Sequence, residues 1–230
     1  MKIRLVDNLN FKQKVERSIL LIEDAWKKYS DRLVVAHSLG KDSAVVWHLA
    51  KKISKHIKGF IITTRFKPKE TINFMEFQKD KFPELNIFSN DEDIPSQLYL
   101  QDPDKCCHLL KVKPMRMAIK SMNVFCLVTG LRSTEGRTRI DFKETEKQGE
   151  DYVKLNPILL WTEAEVWKYI AINRIDVNPL YGEGYRSLGC DPCTAITPGE
   201  ERAGRWLGSS KCGGECGIHT KPLWECDGKQ

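Results

Sequence analysis

The stretch that most restricts this chain is a five-residue apolar run, Leu33 to His37 (LVVAH), followed without a break by SLGKDSAVVWHLAKKI. A short, nearly continuous apolar run is the mark of a strand buried on both faces, which a parallel sheet covered by helices provides. The residues after it read as a tight turn opening a helix. Unpaired backbone N–H groups and the helix dipole at such a place favour a phosphate or sulfate. Gly40 allows close approach, Lys41 adds a cation, Ser38 and Ser43 add donors, and Asp42 sits among them. The spacing is not the G-x4-G-K-[ST] of nucleotide triphosphatases. An ordinary strand-to-helix turn capped by Ser38 or Asp42 is the alternative reading.

The units that follow repeat the order. Gly59 to Thr63 reads as a second strand, Glu70 to Phe82 as a helix and Leu85 to Phe88 as a third strand, so the sheet is mostly parallel with right-handed crossovers. Ligands in such folds bind beyond the carboxyl ends of the strands, where Thr64, Arg65 and Thr71 fall. Asn123 to Thr129 is a further buried strand with Cys126 in the core. Beyond its end come Arg132, Arg137 and Arg139, arginines suited to clamping phosphate or sulfate. Before the first strand, FKQKVERSILLIEDAWKKY has the helical stripe Val15, Ile19, Ile22 and Trp26, expected to cover the sheet. Near the other end, DYVKLNPILLW is extended, and Thr162 with Glu165 forms a capping box for the helix that follows.

Cysteines supply the second theme. Cys106 and Cys107 are adjacent, and Cys190 and Cys193 form a C-x2-C about eighty residues later. Together they offer the four thiolates of an iron–sulfur cluster or a tetrahedral zinc, against the plainer reading of cysteines as core filler. The doublet is expected to open a helix carrying Lys111, Lys113 and Arg116, after an acidic, turn-rich stretch over residues 89 to 105 that reads as a surface loop or a partner-facing segment. Residues 178 to 204 are rich in Gly and Pro and read as a ligand-wrapping loop, with Arg202 near its end and Arg205 just after it. Cys212, Cys216 and Cys226 lie in a glycine-rich tail expected to be mobile. Cys216 is a candidate nucleophile there, its thiolate favoured by nearby Lys and Arg.

The totals set limits. The 230 residues, 41% apolar, suit one domain with an appended segment, taken here as an N-terminal helical segment over 1–30, an α/β domain over 31–206 and a tail over 207–230. Neither an apolar run of eighteen residues nor a signal-peptide pattern occurs, so the chain reads as soluble and cytoplasmic. Eight cysteines in such a chain argue for metal or redox chemistry and not for a secreted disulfide scaffold. A net charge of +6 without a basic block suits an anionic small substrate as well as nucleic acid.

The combined motifs resemble the sulfonucleotide reductases of sulfate assimilation, adenylyl-sulfate and phosphoadenylyl-sulfate reductases, in their iron–sulfur-cluster-bearing branch. The resemblance runs from about Leu33 to His219. It rests on Cys106-Cys107 with Cys190-x2-Cys193, on R-x-G-R-W at Arg202 to Trp206, and on E-C-G-I-H at Glu215 to His219. It implies an adenine nucleotide alpha-hydrolase-like (Rossmann-like) fold and a [4Fe-4S] cluster on the four cysteines, structural and electrostatic in role. It further implies Cys216 as the nucleophile, with Lys111 and His219 among the catalytic residues. Ser38, Gly40, Lys41, Asp42 and Ser43 would form the nucleotide loop, with Lys111, Arg139, Arg202 and Arg205 as the main electrostatic residues. Sulfite would be released from an S-sulfocysteine by thioredoxin, and the enzyme would be a homo-oligomer, dimer or tetramer, with no membrane or nucleic-acid partner. The family segment D-T-G-x-x-F-P-E-T is altered here: Thr63 and Arg65 replace its Asp and Gly, and Lys67-Pro68 its Phe-Pro. Lys41 and Arg65 add cations suited to a 3'-phosphate, which favours the phosphoadenylyl substrate, and Cys212 offers a disulfide with Cys216. The competing readings are an ATP pyrophosphatase-type enzyme of the same fold (a thiolation enzyme or a sulfate adenylyltransferase small subunit), since the loop retains Lys-Asp-Ser, and a non-catalytic iron–sulfur or nucleic-acid-binding module.

Overall fold

A computed structural model describes residues 9–90, 92–135, 139, 141–148 and 152–207. Among them are seven α-helices and six strands, and the chain divides into two compact units. No described helix is long and apolar enough to cross a membrane.

The first unit comprises Met1–Gly59 and Val124–Val177. Its strands β1 (Leu33–Ala36), β4 (Cys126–Val128), β6 (Tyr152–Leu155) and β5 (Thr145–Gln148) lie side by side in that order. β1 pairs with β4, and β4 with β6, in parallel; β5 closes the edge antiparallel to β6. Helices α1 (Phe11–Tyr29), α2 (Lys41–Ile53) and α7 (Glu163–Asn173) belong to this unit. α2 packs on both α1 and α7, while α1 also meets β1 and β4, as its apolar stripe predicts. Local chemistry explains the helix ends. Asn10 and Gln13 form a capping box at α1, and Thr162 with Glu165 forms the expected one at α7. Leu33, Val34, Val35 and Val128 are wholly buried, which is why the sequence there reads as unbroken apolar runs.

The second unit comprises Phe60–Asn123 and Asn178–Gln230. It holds most of β2 (Lys58–Ile62), then α3 (Lys69–Lys81) and β3 (Leu85–Phe88), close to the expected bounds. Thr63 N–H donates to the Phe88 carbonyl at 3.0 Å, continuing the β2–β3 neighbourhood past the strand end. The expected surface loop over 89–105 is corrected. It contains the short helices α4 (Leu98–Gln101) and α5 (Pro103–Cys107), and Ile94 and Leu98 are buried in one cluster with Cys106 and Leu110. The doublet also does not open a helix. It closes α5, whose first turn is capped by Asp102 and begins with Pro103, and a π-helical stretch, His108–Val112, leads into α6 (Lys113–Ser121). The Gly- and Pro-rich stretch holds only short 3-10 turns at Pro179–Tyr181 and Asp191–Cys193, and a single antiparallel bridge joins Thr194 to Arg205.

Candidate functional site

In the first unit the SLGKDS segment is folded around its own serines. Ser38 N–H and Ser38 Oγ both lie 3.1 Å from Ser43 Oγ, which donates to the Gly40 carbonyl at 2.9 Å. Leu39 N–H reaches back to His37 Nδ1 at 3.2 Å, and Leu39 adopts a φ of +66°, an uncommon left-handed conformation for a leucine. The N-cap of α2 is Gly40, not Ser38 or Asp42, and it brings no side-chain oxygen to the first helical N–H groups. A helix start without a side-chain cap suits an anion better than one already capped.

The charged residues around this loop are engaged with one another. Lys41 is buried, its Nζ 3.4 Å from Asp42 and 3.8 Å from Glu163. Arg132, 0% exposed, donates from Nε to Asp42 Oδ1 at 2.5 Å and from a terminal nitrogen to Thr134 Oγ1 at 3.0 Å. Burial pushes the Asp42 carboxyl up, but Lys41 and Arg132 outweigh it and hold the group below its ordinary value. Arg139 is likewise buried and paired with Glu135. Gly130 permits the closeness of these pieces: a Cβ there would stand 2.8 Å from both the Asp42 carbonyl carbon and the Ser43 nitrogen. Glu163 and His37 escaped the sequence reading. Nothing in the sequence singles out Glu163, and His37 is counted there within the apolar run of β1.

In the second unit Cys106, Cys107, Cys190 and Cys193 line one small pocket together with Lys111 and apolar residues that include Phe66, Tyr99 and Leu110. The cluster expectation is corrected here. Among the described residues no three of the sulfurs lie within 4.8 Å of one another. The cavity between the side chains measures about 10 Å³, room for about one water. Consecutive residues on a helix diverge by roughly 100°, so Cys106 and Cys107, which end α5, reach this pocket from different directions. The four cysteines present here do not fit a [4Fe-4S] group.

Cys190 is the distinctive member. It is buried, with Thr64 Oγ1 3.3 Å from its sulfur. Burial raises the thiol pKa, yet the charges of Lys111 and Lys67, the Thr64 hydroxyl and Arg205 together bring it below the ordinary value. The Asp191–Cys193 turn is fastened by Asp191 N–H to the Phe66 carbonyl at 2.7 Å and by Trp206 N–H to the Cys193 carbonyl at 3.0 Å. Arg205 donates to the Leu188 carbonyl and stacks on Trp206 with its Cζ 4.4 Å from the ring centroid; Arg202 lies 5.4 Å from the same centroid. Gly189 leaves room for the Arg205 guanidinium, which a Cβ would approach to 2.6 Å. Lys67 is a cation acting on Cys190 that the sequence marked only as a departure from the family segment.

Two predicted contact residues serve the frame. Arg65 donates to the carbonyls of Ile94 and Glu92 at 3.2 and 2.8 Å, and buried Thr71 accepts from Asn178 Nδ2 at 3.0 Å. Cys216, His219 and Arg137, with Cys212 and Cys226, lie outside the described residues.

A mostly parallel sheet flanked by helices, with a strand-to-helix loop beyond the end of β1, defines an α/β protein of Rossmann-like type. The comparisons narrow this. The model of the phosphoadenosine phosphosulfate reductase domain matches residues 32–196. Adenosine 5'-phosphosulfate reductase 1 of Bacillus subtilis is 33% identical over 214 residues, spanning 88% of this chain and 90% of the relative. A reductase of the same type from Oceanobacillus iheyensis is 32% identical over 87% of each chain. Among solved structures, a phosphoadenylyl-sulfate reductase from Candida auris in a phosphate complex superposes with a TM-score of 0.68 at 20% identity, over 85% of this chain and 99% of that one. An FMN adenylyltransferase from Candida glabrata reaches 0.66 at 19% identity, over 82% and 66%. The chain belongs to the phosphoadenosine phosphosulfate reductase family, and its α/β fold is that family's.

Proposed function

We propose that the protein reduces a sulfonucleotide to sulfite at the expense of a dithiol. The observation that carries this reading is family membership over almost the whole length of the reductases it resembles. The loop geometry supports it, since an α2 start capped only by Gly40 and flanked by Ser38 and Ser43 suits a nucleotide phosphate.

The step runs as follows. The Cys216 thiolate attacks the sulfur of the sulfo group, an S–S bond forms, the S–O bond to the nucleotide phosphate breaks, and the nucleotide leaves. The enzyme then carries an S-sulfocysteine. One thiol of a thioredoxin-type donor attacks the Cys216 sulfur and expels sulfite; its second thiol resolves the mixed disulfide, so the dithiol loses the two electrons that take the sulfo-group sulfur from the sulfate to the sulfite level. Lys111, Arg202 and Arg205 supply positive charge for the anionic sulfo group, and His219 belongs to the same catalytic segment as Cys216. The tail 207–230 carries the nucleophile.

Adenylyl sulfate is the favoured substrate. Lys41 is buried between two carboxylates and Arg65 is spent on main-chain carbonyls, so the two cations that pointed to a 3'-phosphate are occupied elsewhere. The relatives from Bacillus subtilis and Oceanobacillus iheyensis carry the name adenosine 5'-phosphosulfate reductase. The test is sulfite release with each nucleotide and a thioredoxin. We expect the higher kcat/KM with adenylyl sulfate, and Cys216→Ser should abolish release. Unchanged release from that variant would overturn the nucleophile assignment, and ATP turnover without any reductant would favour an ATP-dependent enzyme of this fold.

A further inference from the structure

The ion pair between Asp42 and Arg132 joins the loop to two other elements of the first unit. Asp42 is the second residue of α2 and Arg132 stands four residues beyond the end of β4. From Arg132 the connection continues: the guanidinium donates to Thr134 Oγ1, and that hydroxyl donates to the Trp161 carbonyl at 3.0 Å, next to the Thr162 cap of α7. On the other side Lys41 lies between Asp42 and Glu163, in the first turn of α7. Glu135, whose carboxylate comes within 4.8 Å of Asp42's, is paired with Arg139, so the charges gathered here number three of each sign, and Arg132 is wholly buried. A guanidinium committed in this way has no surplus charge for an anion. A balanced buried pair adds little net stability on its own, which leaves the fixing of geometry as the role open to it. The geometry around the pair includes Leu39 at a positive φ and Gly130 pressed on the α2 backbone.

We infer that Asp42 and Arg132 form a clasp that holds the Ser38–Ser43 loop in its nucleotide-binding shape, making both positioning residues, with Arg132 not itself a clamp on the substrate. The inference rests on the proposed assignment of that loop to the nucleotide. It departs from the sequence-based expectation, in which Arg132 and Asp42 both touch substrate. A loop whose N–H groups are fixed in advance binds an anion without an ordering cost, so loosening the clasp weakens binding although no ligand contact is removed.

The sign of one substitution separates the two roles. If Arg132 clamps the phosphate directly, Asp42→Asn removes a negative charge beside it and AMP binds more tightly. If the pair is a clasp, Asp42→Asn weakens AMP binding. Calorimetric titration of the full chain with AMP, the leaving nucleotide, reads the answer beside KM and kcat for sulfite release. We expect a Kd raised about tenfold, which is about 1.4 kcal/mol, a KM raised in parallel, and a kcat at saturation close to that of the unaltered protein. Asp42→Asn combined with Arg132→Gln should bind no more weakly than the weaker single variant, because both break one interaction. An unchanged or lower Kd in Asp42→Asn, or a lowered Tm with unchanged Kd, overturns the clasp. Should Asp42→Asn not fold, Thr134→Val, which removes only the far hydroxyl, is read the same way: a raised Kd supports the clasp and an unchanged one overturns it. Failure of the unaltered protein to bind AMP is a separate result, and it removes the nucleotide assignment itself.

Discussion

His37 shows how much one side chain depends on where the fold puts it. Burial lowers its pKa from 6.5 to about 4, a hydrogen bond with its own backbone working weakly the other way. The imidazole is therefore neutral at neutral pH. Because the folded value lies below the unfolded one, the group's contribution is complete above about pH 6.5, declines as pH falls, and is lost in full below about pH 4. The shift corresponds to roughly 3 kcal/mol at most. Urea unfolding at pH 7 and pH 5 should show a loss of stability on acidification that is smaller in His37→Asn; equal losses would contradict this account. The cysteines make the same point. Cys126 and Cys190 are both buried, yet burial pushes the Cys126 thiol up to about 12, with Lys28 opposing weakly, whereas the cations around Cys190 overcome its burial. The core placement of Cys126 was legible in its apolar run. The low pKa of Cys190 was not, because Lys67, Lys111 and Thr64 come from distant parts of the sequence.

At the scale of elements, the ends of helices and the hearts of strands were readable. The Thr162–Glu165 box and the bounds of β3 needed only local chemistry. β5 could not be seen, since TEKQ is a half-exposed edge strand with no apolar alternation to mark it. Helices α4 and α5 escaped for a related reason: each is too short to show a helical period, and their burial comes from packing. The Thr194–Arg205 bridge depends on Gly204, where a Cβ would stand 1.9 Å from the Ala195 carbonyl oxygen. Gly204→Ala should therefore open the bridge and release the Asp191–Cys193 turn, lowering kcat/KM about tenfold or more, that is, by at least about 1.4 kcal/mol in the barrier. Sulfite release and thermal melting of the variant check this; a variant with full activity would show that the bridge is dispensable.

Across the whole molecule the net charge is +6, with 37 Lys and Arg against 31 Asp and Glu. Many of the cations first assigned to the substrate prove to be paired: Lys41 with Asp42 and Glu163, Arg132 with Asp42, Arg139 with Glu135. Steering of an anionic nucleotide then rests on the excess charge of the whole chain, and salt weakens it. KM should rise as ionic strength goes from about 0.05 to about 0.3 M, where the screening length falls below about 10 Å, with kcat nearly constant; a salt-independent KM would count against steering. The sequence by itself determined the α/β class, the order of the longer helices and the buried strands, and the loop after β1, because buried runs, helical periods and caps are local patterns. The tertiary structure decided which charges meet and which sulfurs do not. Ion pairing and the convergence of side chains depend on residues far apart in the chain, and only folding brings Arg132 to Asp42 and gathers the four cysteines at one pocket with no three of the sulfurs within 4.8 Å of one another.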